Sequence, residues 1–289
     1  MTSIRGVVVP LITPFKPDLS LDLDALGELT HWIIERGVDL LFPMGGSGEF
    51  RTLSIEERLD LIDCVVESAA GRVPVYPNIG ADTVEQTLQL SRRAEKAGAD
   101  GVGIVYPEAF VSSPDQINRF YRRIDSEINL PFLLYDPAGA LEPSDARDLA
   151  GQTRHFKAMK YRTTDGERMG RMARALSGDI ALLSGVETVF LQDLSIGAVG
   201  CVGGGANFYP SWLTELQRRF ETGDIAGARK LQYSINAALE IVERIPWPLG
   251  GKIVLRELGL PVEPVTRVEH PRPDQADVDA VRQFAGRLR

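Results

Sequence analysis

The sequence predicts an α/β protein, a (β/α)8 TIM barrel with a C-terminal helical extension. Short apolar runs rich in Val, Ile and Leu alternate with longer amphipathic stretches from the first residues to beyond residue 220. The runs are almost continuously apolar, as expected for parallel strands that are buried on both faces. A doubly wound open sheet is the competing architecture, but no GxGxxG phosphate fingerprint follows a strand. The count of eight strand-then-helix units therefore favours the barrel.

Each predicted element follows from a local pattern. The predicted strands are Gly6 to Val9, Leu40 to Pro43, Val73 to Asn78, Gly101 to Val105, Pro131 to Tyr135, Phe156 to Lys160, Ile180 to Ser184 and Ala198 to Val202. The predicted helices are Leu23 to Arg36, Ile55 to Ala70, Thr83 to Ala97, Pro114 to Ile128, Pro143 to Gln152, Gly166 to Leu176, Thr188 to Ile196 and Pro210 to Glu221. Ser54 and Glu57 form a capping-box pattern, and Asp82 is the expected N-cap of the third helix.

The last part of the chain has helical patterns and no strand pattern. Two helical stretches, 225 to 244 and 247 to 258, are followed by a segment interrupted by prolines and by a last helix from 275 to 288. This composition predicts a barrel at residues 1–222 and a helical extension, packed on the barrel, at residues 223–289.

Composition excludes several classes of protein. The net charge of -8 speaks against nucleic-acid binding, because phosphate binding needs a concentrated basic surface. Cys64 and Cys201 each lie in an apolar segment, as expected for reduced thiols. The first ten residues lack the pattern of a signal peptide, and no apolar run is long enough to cross a bilayer. We therefore expect a soluble, cytoplasmic protein with neither a nucleic-acid nor a membrane partner.

Lys160 ends the sixth predicted strand and precedes a polar run. Strand alternation would place Phe156, Ala158 and Lys160 on one face, so the amine would stand at the end of an apolar column. Burial there would favour the neutral amine, which is the form that attacks a carbonyl carbon. The same pattern is compatible with a lysine that extends from the strand end into water. The residues at the neighbouring strand ends are needed to distinguish a buried reactive amine from a lysine in solvent.

Other strand ends carry groups suited to an anionic carbonyl substrate. The glycine-rich loop Gly45 to Glu49 lets backbone N–H groups approach an anion, and Ser47 adds a hydroxyl donor. Tyr135 ends the fifth predicted strand, where a phenol could relay protons or hold an oxyanion. A tight turn and simple packing are the plainer explanations of these two features. Together with Lys160, they predict a Schiff-base site for a small-molecule 2-oxo acid.

In such a site Lys160 condenses with the ketone, and the protonated imine accepts the electron pair of the bond that breaks. Tyr135 moves the proton, and the glycine-rich loop holds the carboxylate. Because the covalent imine supplies the electron sink, no cofactor is expected. His31, His155 and His270 are scattered without ligand spacing, so no histidine-rich metal site is expected either.

Three segments resemble the dihydrodipicolinate synthase / N-acetylneuraminate lyase family of class I aldolases and dehydratases. They are Val9 to Phe15, which resembles the family's opening strand motif, Gly45 to Glu49, which resembles its G-x-[ST]-G-E loop, and Gly197 to Asn207, which resembles its eighth-strand loop. The resemblance covers nearly the whole chain. It implies that Lys160 forms the Schiff base, that Tyr135 relays protons and that Ser47 receives the substrate carboxylate. It also implies a homotetramer, a dimer of dimers.

Three positions depart from the synthases of that family. The synthases carry a threonine in the glycine-rich loop, where this chain has Gly46. They also carry a tyrosine after the fourth strand and an arginine after the catalytic tyrosine, where this chain has Ala109 and Ala140. Tyr106 could supply a phenol if the loop follows another path. The loop Gly45 to Phe50 is more similar to that of the 5-dehydro-4-deoxyglucarate dehydratase branch. The resemblance therefore favours a lyase for a deoxy sugar acid, such as that dehydratase or a 2-keto-3-deoxy sugar-acid aldolase, with 4-hydroxy-tetrahydrodipicolinate synthase as the alternative.

Five further residues complete the predicted substrate site. Glu187 matches the region where the neuraminate lyase branch holds sugar hydroxyls, and a carboxylate can accept hydrogen bonds from a polyol. Gly46, Gly185 and Gly203 lie in the loops after the second, seventh and eighth predicted strands. Arg162 would share the face of Lys160 and could bind a distal carboxylate, although a solvated loop arginine is the alternative.

Two other classes of function compete with this lyase. One is a barrel that binds 2-oxo acids without turnover, and the other is a metal-dependent or phosphate-binding barrel.

Overall fold

The computed structural model describes residues 4–178 and 180–288. Within these ranges the strands are β1 (Gly6–Val9), β2 (Leu40–Leu41), β3 (Val102–Val105), β4 (Phe132–Asp136), β5 (Phe156–Tyr161), β6 (Ala181–Ser184) and β7 (Gly200–Val202). They form one sheet in the order β2-β1-β7-β6-β5-β4-β3, and every neighbouring pair is parallel. Parallel strands alternating with helices confirm the predicted α/β class.

The predicted third strand, Val73 to Asn78, joins the two edges of this sheet without forming a regular strand. Parallel bridges connect Val75 to β2 and Asn78 to β3. Pro74 and Pro77 have no N–H group, so this segment cannot form a continuous ladder. One of the eight predicted strands is therefore interrupted, and its bridges to β2 and β3 still close the predicted barrel.

Helices surround the sheet. Those of the barrel are α1 (Leu23–Ile34), α2 (Ile55–Ala69), α3 (Val84–Ala97), α4 (Pro114–Asp125), α5 (Pro143–Gln152), α6 (Gly166–Leu176), α7 (Phe190–Ser195) and α8 (Pro210–Glu221). The extension contains α9 (Ile225–Val242), α10 (Leu249–Glu257) and α11 (Gln275–Ala285). Short 3-10 turns lie at Phe50–Thr52, Glu108–Phe110, Glu187–Val189 and Gly204–Asn207. All the predicted helices are present, several of them shorter by a few residues.

For two of the helices, the sequence pattern predicts which residue is the N-cap. The Ser54 hydroxyl accepts from the Glu57 N–H, and the Glu57 carboxylate accepts from the Ser54 N–H, which confirms the capping box of α2. The N-cap predicted for α3 is wrong: Thr83, not Asp82, accepts from the N–H of Gln86. Both residue types are favoured N-caps, so the sequence alone does not separate them.

The strands divide their side chains between two layers. The barrel interior holds Val8, Leu40, Phe42, Tyr76, Leu133, Ala158, Leu183 and Val202. A register shift between β4 and β5 pairs Phe132 with Phe156 and then Leu133 with Ala158. Phe156 therefore stacks on Phe132 in the outer layer, under the helices. The prediction that Phe156 shares the face of Ala158 and Lys160 is wrong, because the shift interrupts the alternation of β5.

The C-terminal helices share the main hydrophobic core. Leu239 and Val242 of α9, Val254 of α10 and Phe284 of α11 belong to the same buried cluster as the outer faces of the strands. The boundary proposed at residue 222 stays a prediction. No helix among the described residues has both the length and the apolar character needed to cross a bilayer.

Candidate active site

A cavity of about 420 Å³ opens at the C-terminal ends of the strands. Its lining includes all the residues predicted for the site: Gly46, Ser47, Tyr135, Lys160, Arg162, Gly185, Glu187 and Gly203. A larger cavity, about 710 Å³, lies at the opposite end of the barrel and contains none of them. Because parallel strands all end on the same side, the chain brings these distant residues to one place.

Lys160 lies on β5, directly beside Tyr135 of β4 in the sheet register. Its side chain is buried, with 8% exposure, and its Nζ lies 4.2 Å from the centroid of the Tyr135 ring. Below it, Leu133, Ala158 and Leu183 fill the barrel. These contacts exclude the alternative of a lysine that extends into water. The amine instead faces a cavity large enough for a small carbonyl compound.

The loop Gly45 to Glu49 is folded as a compact turn. The N–H groups of Gly48 and Glu49 donate to the carbonyl oxygens of Gly45 and Gly46, and the Thr13 hydroxyl donates to the carbonyl oxygen of Gly48. Within the described residues, no acceptor is present for the backbone N–H groups of Gly46 and Ser47. These N–H groups, next to the Ser47 hydroxyl, are suited to receive an anion at the cavity wall.

Glu49 ties this loop to the C-terminal extension. One of its carboxylate oxygens lies 2.7 Å from Nζ of Lys252 on α10, and neither side chain is more than 1% exposed. The other oxygen accepts from the backbone N–H groups of Arg267 and Val268. Burial lowers the pKa of the Lys252 amine below its ordinary value, and the nearby Glu49 carboxylate offsets only part of this effect. Nothing in the local sequence pattern indicated this long-range pair.

Glu187 lies at the cavity wall, but its carboxylate contacts the turn that follows β7 and the start of α8. Its oxygens accept from the N–H groups of Gly205 and Ala206 and from the Tyr209 hydroxyl, at 3.1 to 3.2 Å. Burial raises the pKa of this carboxyl to about 7, although the three hydrogen bonds lower it. Glu187 therefore holds the turn Gly204–Asn207 in place, and its contact with substrate hydroxyls stays a prediction.

The predicted glycines differ in how much space surrounds them. A Cβ on Gly203 would lie 2.1 Å from Oε1 of Glu187, and one on Gly185 would lie 2.9 Å from the carbonyl oxygen of Tyr161. These two glycines permit close packing of the loops. A Cβ on Gly46 would meet no atom within 4 Å. The missing loop side chain at position 46 therefore leaves open space.

Tyr106 does not supply a phenol to this cavity. Its hydroxyl donates to Oδ1 of Asp136 at 2.7 Å, and it is not among the described residues that line the Lys160 cavity. Burial and the Asp136 carboxylate raise the pKa of Tyr106 well above its ordinary value. The backbone N–H of Ala140, where the synthases carry arginine, also donates to Asp136. The alternative loop path is therefore wrong for Tyr106.

Several lining residues were missed because they lie outside the strand ends. Thr188 follows Glu187, while Leu239, Glu243 and Trp247 come from α9 and the segment after it. The one available signal was a tryptophan between two prolines in the extension, at Trp247. Among the described residues, no cluster of three or more His, Cys, Asp or Glu side chains could hold a metal ion.

Comparison with known proteins places this site in a family. The sequence model of the Dihydrodipicolinate synthetase family matches residues 3–275. The chain belongs to this family. A curated relative, 4-hydroxy-tetrahydrodipicolinate synthase of Cereibacter sphaeroides, is 33% identical over 291 residues, which cover 98% of this chain and 99% of the relative.

Solved structures of the dihydrodipicolinate synthetase family have the same fold. Dihydrodipicolinate synthase from Aquifex aeolicus superposes with a TM-score of 0.92 at 25% identity, over 98% of both chains. The E. coli K12 prophage protein YagE, solved in complex with pyruvate, superposes with a TM-score of 0.92 at 24% identity, over 99% of both chains. Members of the family are class I lyases that form a Schiff base. The present chain is therefore an enzyme of that class.

Proposed function

We propose that this lyase acts on a 2-oxo acid through an imine on Lys160. The observation that carries the proposal is the buried Nζ of Lys160, 4.2 Å from the Tyr135 ring centroid, in a cavity that also contains Ser47. Nitrogen bonds to the keto carbon, and the carbonyl oxygen leaves as water. The Ser47 hydroxyl and the loop N–H groups bind the adjacent carboxylate, and Tyr135 moves protons.

The iminium then accepts an electron pair from the substrate. In aldol cleavage the pair comes from the bond between the third and fourth carbons, and the hydroxyl proton of the fourth carbon is removed. In dehydration a proton leaves the third carbon, and hydroxide then leaves the fourth. Both routes need the same lysine and the same proton carrier, so the choice depends on the substrate.

For the substrate we propose a deoxy sugar acid. The chain lacks three polar groups of the synthases, at Gly46, Ala109 and Ala140, and the space beside Gly46 is open. Arg162 lines the cavity, is exposed and forms no ion pair within the described part of the chain. A guanidinium there is suited to a second carboxylate at the far end of the substrate. Dehydration of a 5-dehydro-4-deoxyglucarate-like acid or cleavage of a 2-keto-3-deoxy acid would fit these features.

The second candidate is 4-hydroxy-tetrahydrodipicolinate synthase, because the Cereibacter relative bears that name. A third is a barrel that binds a 2-oxo acid without turnover. A product screen separates the three: pyruvate with aspartate semialdehyde, pyruvate with other aldehydes, and deoxy sugar acids alone. We expect turnover with the sugar acids. Turnover restricted to aspartate semialdehyde would establish the synthase, and ligand-dependent thermal stabilisation without any product would favour the binding protein.

Borohydride reduction tests the imine directly. Incubation with pyruvate and borohydride should leave a reduced adduct on Lys160, detected by mass spectrometry of the peptide that contains it. The variant Lys160→Arg should give no adduct. Lys157→Arg is the matched control, because Lys157 lies on the same strand and lines the cavity at the opposite end. If the wild-type protein gives no adduct with pyruvate or any sugar-derived 2-oxo acid, the proposal is wrong.

We also propose a homotetramer in the cytoplasm. The tetramer is implied by the family resemblance and the location by the composition. Neither proposal depends on the chemistry of the Lys160 cavity.

A further inference from the structure

Trp247 belongs to the C-terminal extension but forms a wall of the Lys160 cavity. Its ring is held by close packing on two glycines: a Cβ on Gly204 would lie 2.6 Å from its Cζ2, and one on Gly251 would lie 2.9 Å from its Cη2. The Phe208 ring lies 6.3 Å away, centroid to centroid. The indole therefore occupies a fixed position between the turn Gly204–Asn207 and α10.

The indole Nε1 of Trp247 lies 3.1 Å from Oγ of Ser47. An indole N–H can donate but cannot accept, so the Ser47 oxygen must be the acceptor. The hydroxyl proton of Ser47 therefore cannot point toward the indole. Ser47 is 7% exposed, and within the described residues no other protein group bonds to its hydroxyl. The remaining direction for this proton is the cavity, where a ligand oxygen would accept it.

We propose that Trp247 is a positioning residue that fixes the Ser47 hydroxyl as a hydrogen-bond donor to the carboxylate of the 2-oxo acid. A carboxylate is an acceptor without protons to donate, so a hydroxyl held in the donor orientation recognises it without reorganisation. The inference rests on the proposed function for the presence of a carboxylate beside Ser47. It adds a contact from the C-terminal extension to a site built otherwise from strand ends.

The test uses pyruvate as the probe and two readouts, its dissociation constant by calorimetry and its trapping on Lys160 by borohydride. Trp247→Phe removes the N–H and keeps an aromatic ring. We expect the dissociation constant to rise about fivefold, the factor that corresponds to one typical hydrogen bond. The trapping rate at saturating pyruvate should change less than about twofold, because the amine is untouched. Trp32→Phe is the control and should leave both values unchanged, because Trp32 is a partly buried residue of α1 that does not line the Lys160 cavity.

A double-mutant cycle separates positioning from packing. In a Ser47→Ala background, Trp247→Phe should have almost no further effect on pyruvate affinity. If Trp247→Phe weakens binding equally in both backgrounds, Trp247 acts through packing and the proposal is overturned. Should Trp247→Phe fail to fold, a benzothienylalanine at position 247 replaces the N–H with sulfur at nearly constant shape. That isostere must reproduce the fivefold loss.

The outcomes also separate this inference from the proposed function. Weaker pyruvate binding in Trp247→Phe, with no adduct in any variant, would support the positioning role and contradict the imine on Lys160. Normal trapping in the wild type, with unchanged binding in Trp247→Phe, would contradict the positioning role alone. Absence of pyruvate binding to the wild type would overturn the inference.

Discussion

Arg162 is a residue whose predicted role depends on the length of the substrate. It is exposed, lines the cavity that contains Lys160, and its guanidinium is suited to a distal carboxylate. We predict that Arg162→Ala raises KM about tenfold or more for a dicarboxylic sugar acid and changes it little for the matching monocarboxylic acid. Steady-state kinetics with both substrates check this. Equal changes in KM for both acids would remove the role.

The buried carboxyl of Glu187 should make the stability of the folded protein depend on pH. Its pKa is about 7 in the folded chain, and its ordinary value is 4.5. Between these values the folded protein keeps a proton that the unfolded chain has lost. The stabilisation from this group is therefore complete below about pH 4.5 and is lost as the pH rises through 7.

Glu187→Gln cannot lose a proton, so it should avoid this loss. We expect the free energy of unfolding of the variant, relative to wild type, to rise by on the order of 2 kcal/mol from pH 5 to pH 8. Urea unfolding at several pH values measures it. Glu221→Gln is the control: Glu221 is a surface carboxyl whose pKa is lowered, so its difference from wild type should be flat over this range. Parallel pH profiles for Glu187→Gln and wild type would contradict the prediction.

At the scale of elements, one buried ion pair joins α10 to the loop Gly45 to Glu49. Glu49→Gln removes the negative charge beside the Lys252 ammonium, which stays buried and still donates to the Val265 carbonyl oxygen. Removing one member of a buried pair costs about 3 to 5 kcal/mol, because the other charge stays desolvated. We predict a loss near the lower end of that range, measured by urea unfolding. Glu167→Gln is the control: it breaks the exposed pair with Arg171 and should cost under about 1 kcal/mol. If Glu49→Gln and Glu167→Gln lower the free energy of unfolding equally, the prediction is wrong.

At the scale of the whole molecule, we predict a tetramer in solution. Sedimentation velocity should give a single species with four times the mass of the chain at micromolar concentration. A monomer or a dimer that does not associate further would contradict the assembly. The cavity residues named above come from one chain, so dissociation by itself should leave pyruvate trapping on Lys160 detectable.

Local sequence patterns determined most of the fold and the centre of the site. Apolar runs of strand length and amphipathic stretches with caps specify which segments form strands and helices, because each pattern reflects burial of one face or two. Once the strands are parallel, their ends meet at one side. The sequence therefore predicts that Lys160, Tyr135 and Ser47 lie close together.

Other features depend on contacts between segments that are distant in the sequence. The ring closes through a segment interrupted by Pro74 and Pro77, and Phe156 faces outward because of a register shift. The Glu187 carboxylate accepts from the turn Gly204–Asn207. The contact of Trp247 with Ser47 joins residues 200 positions apart. Local sequence is sufficient to specify the strands, the helices and the reactive residues at the strand ends, because periodicity records which faces are buried. The contact partners of these residues follow from the folded chain alone, because they depend on how segments distant in the sequence pack together.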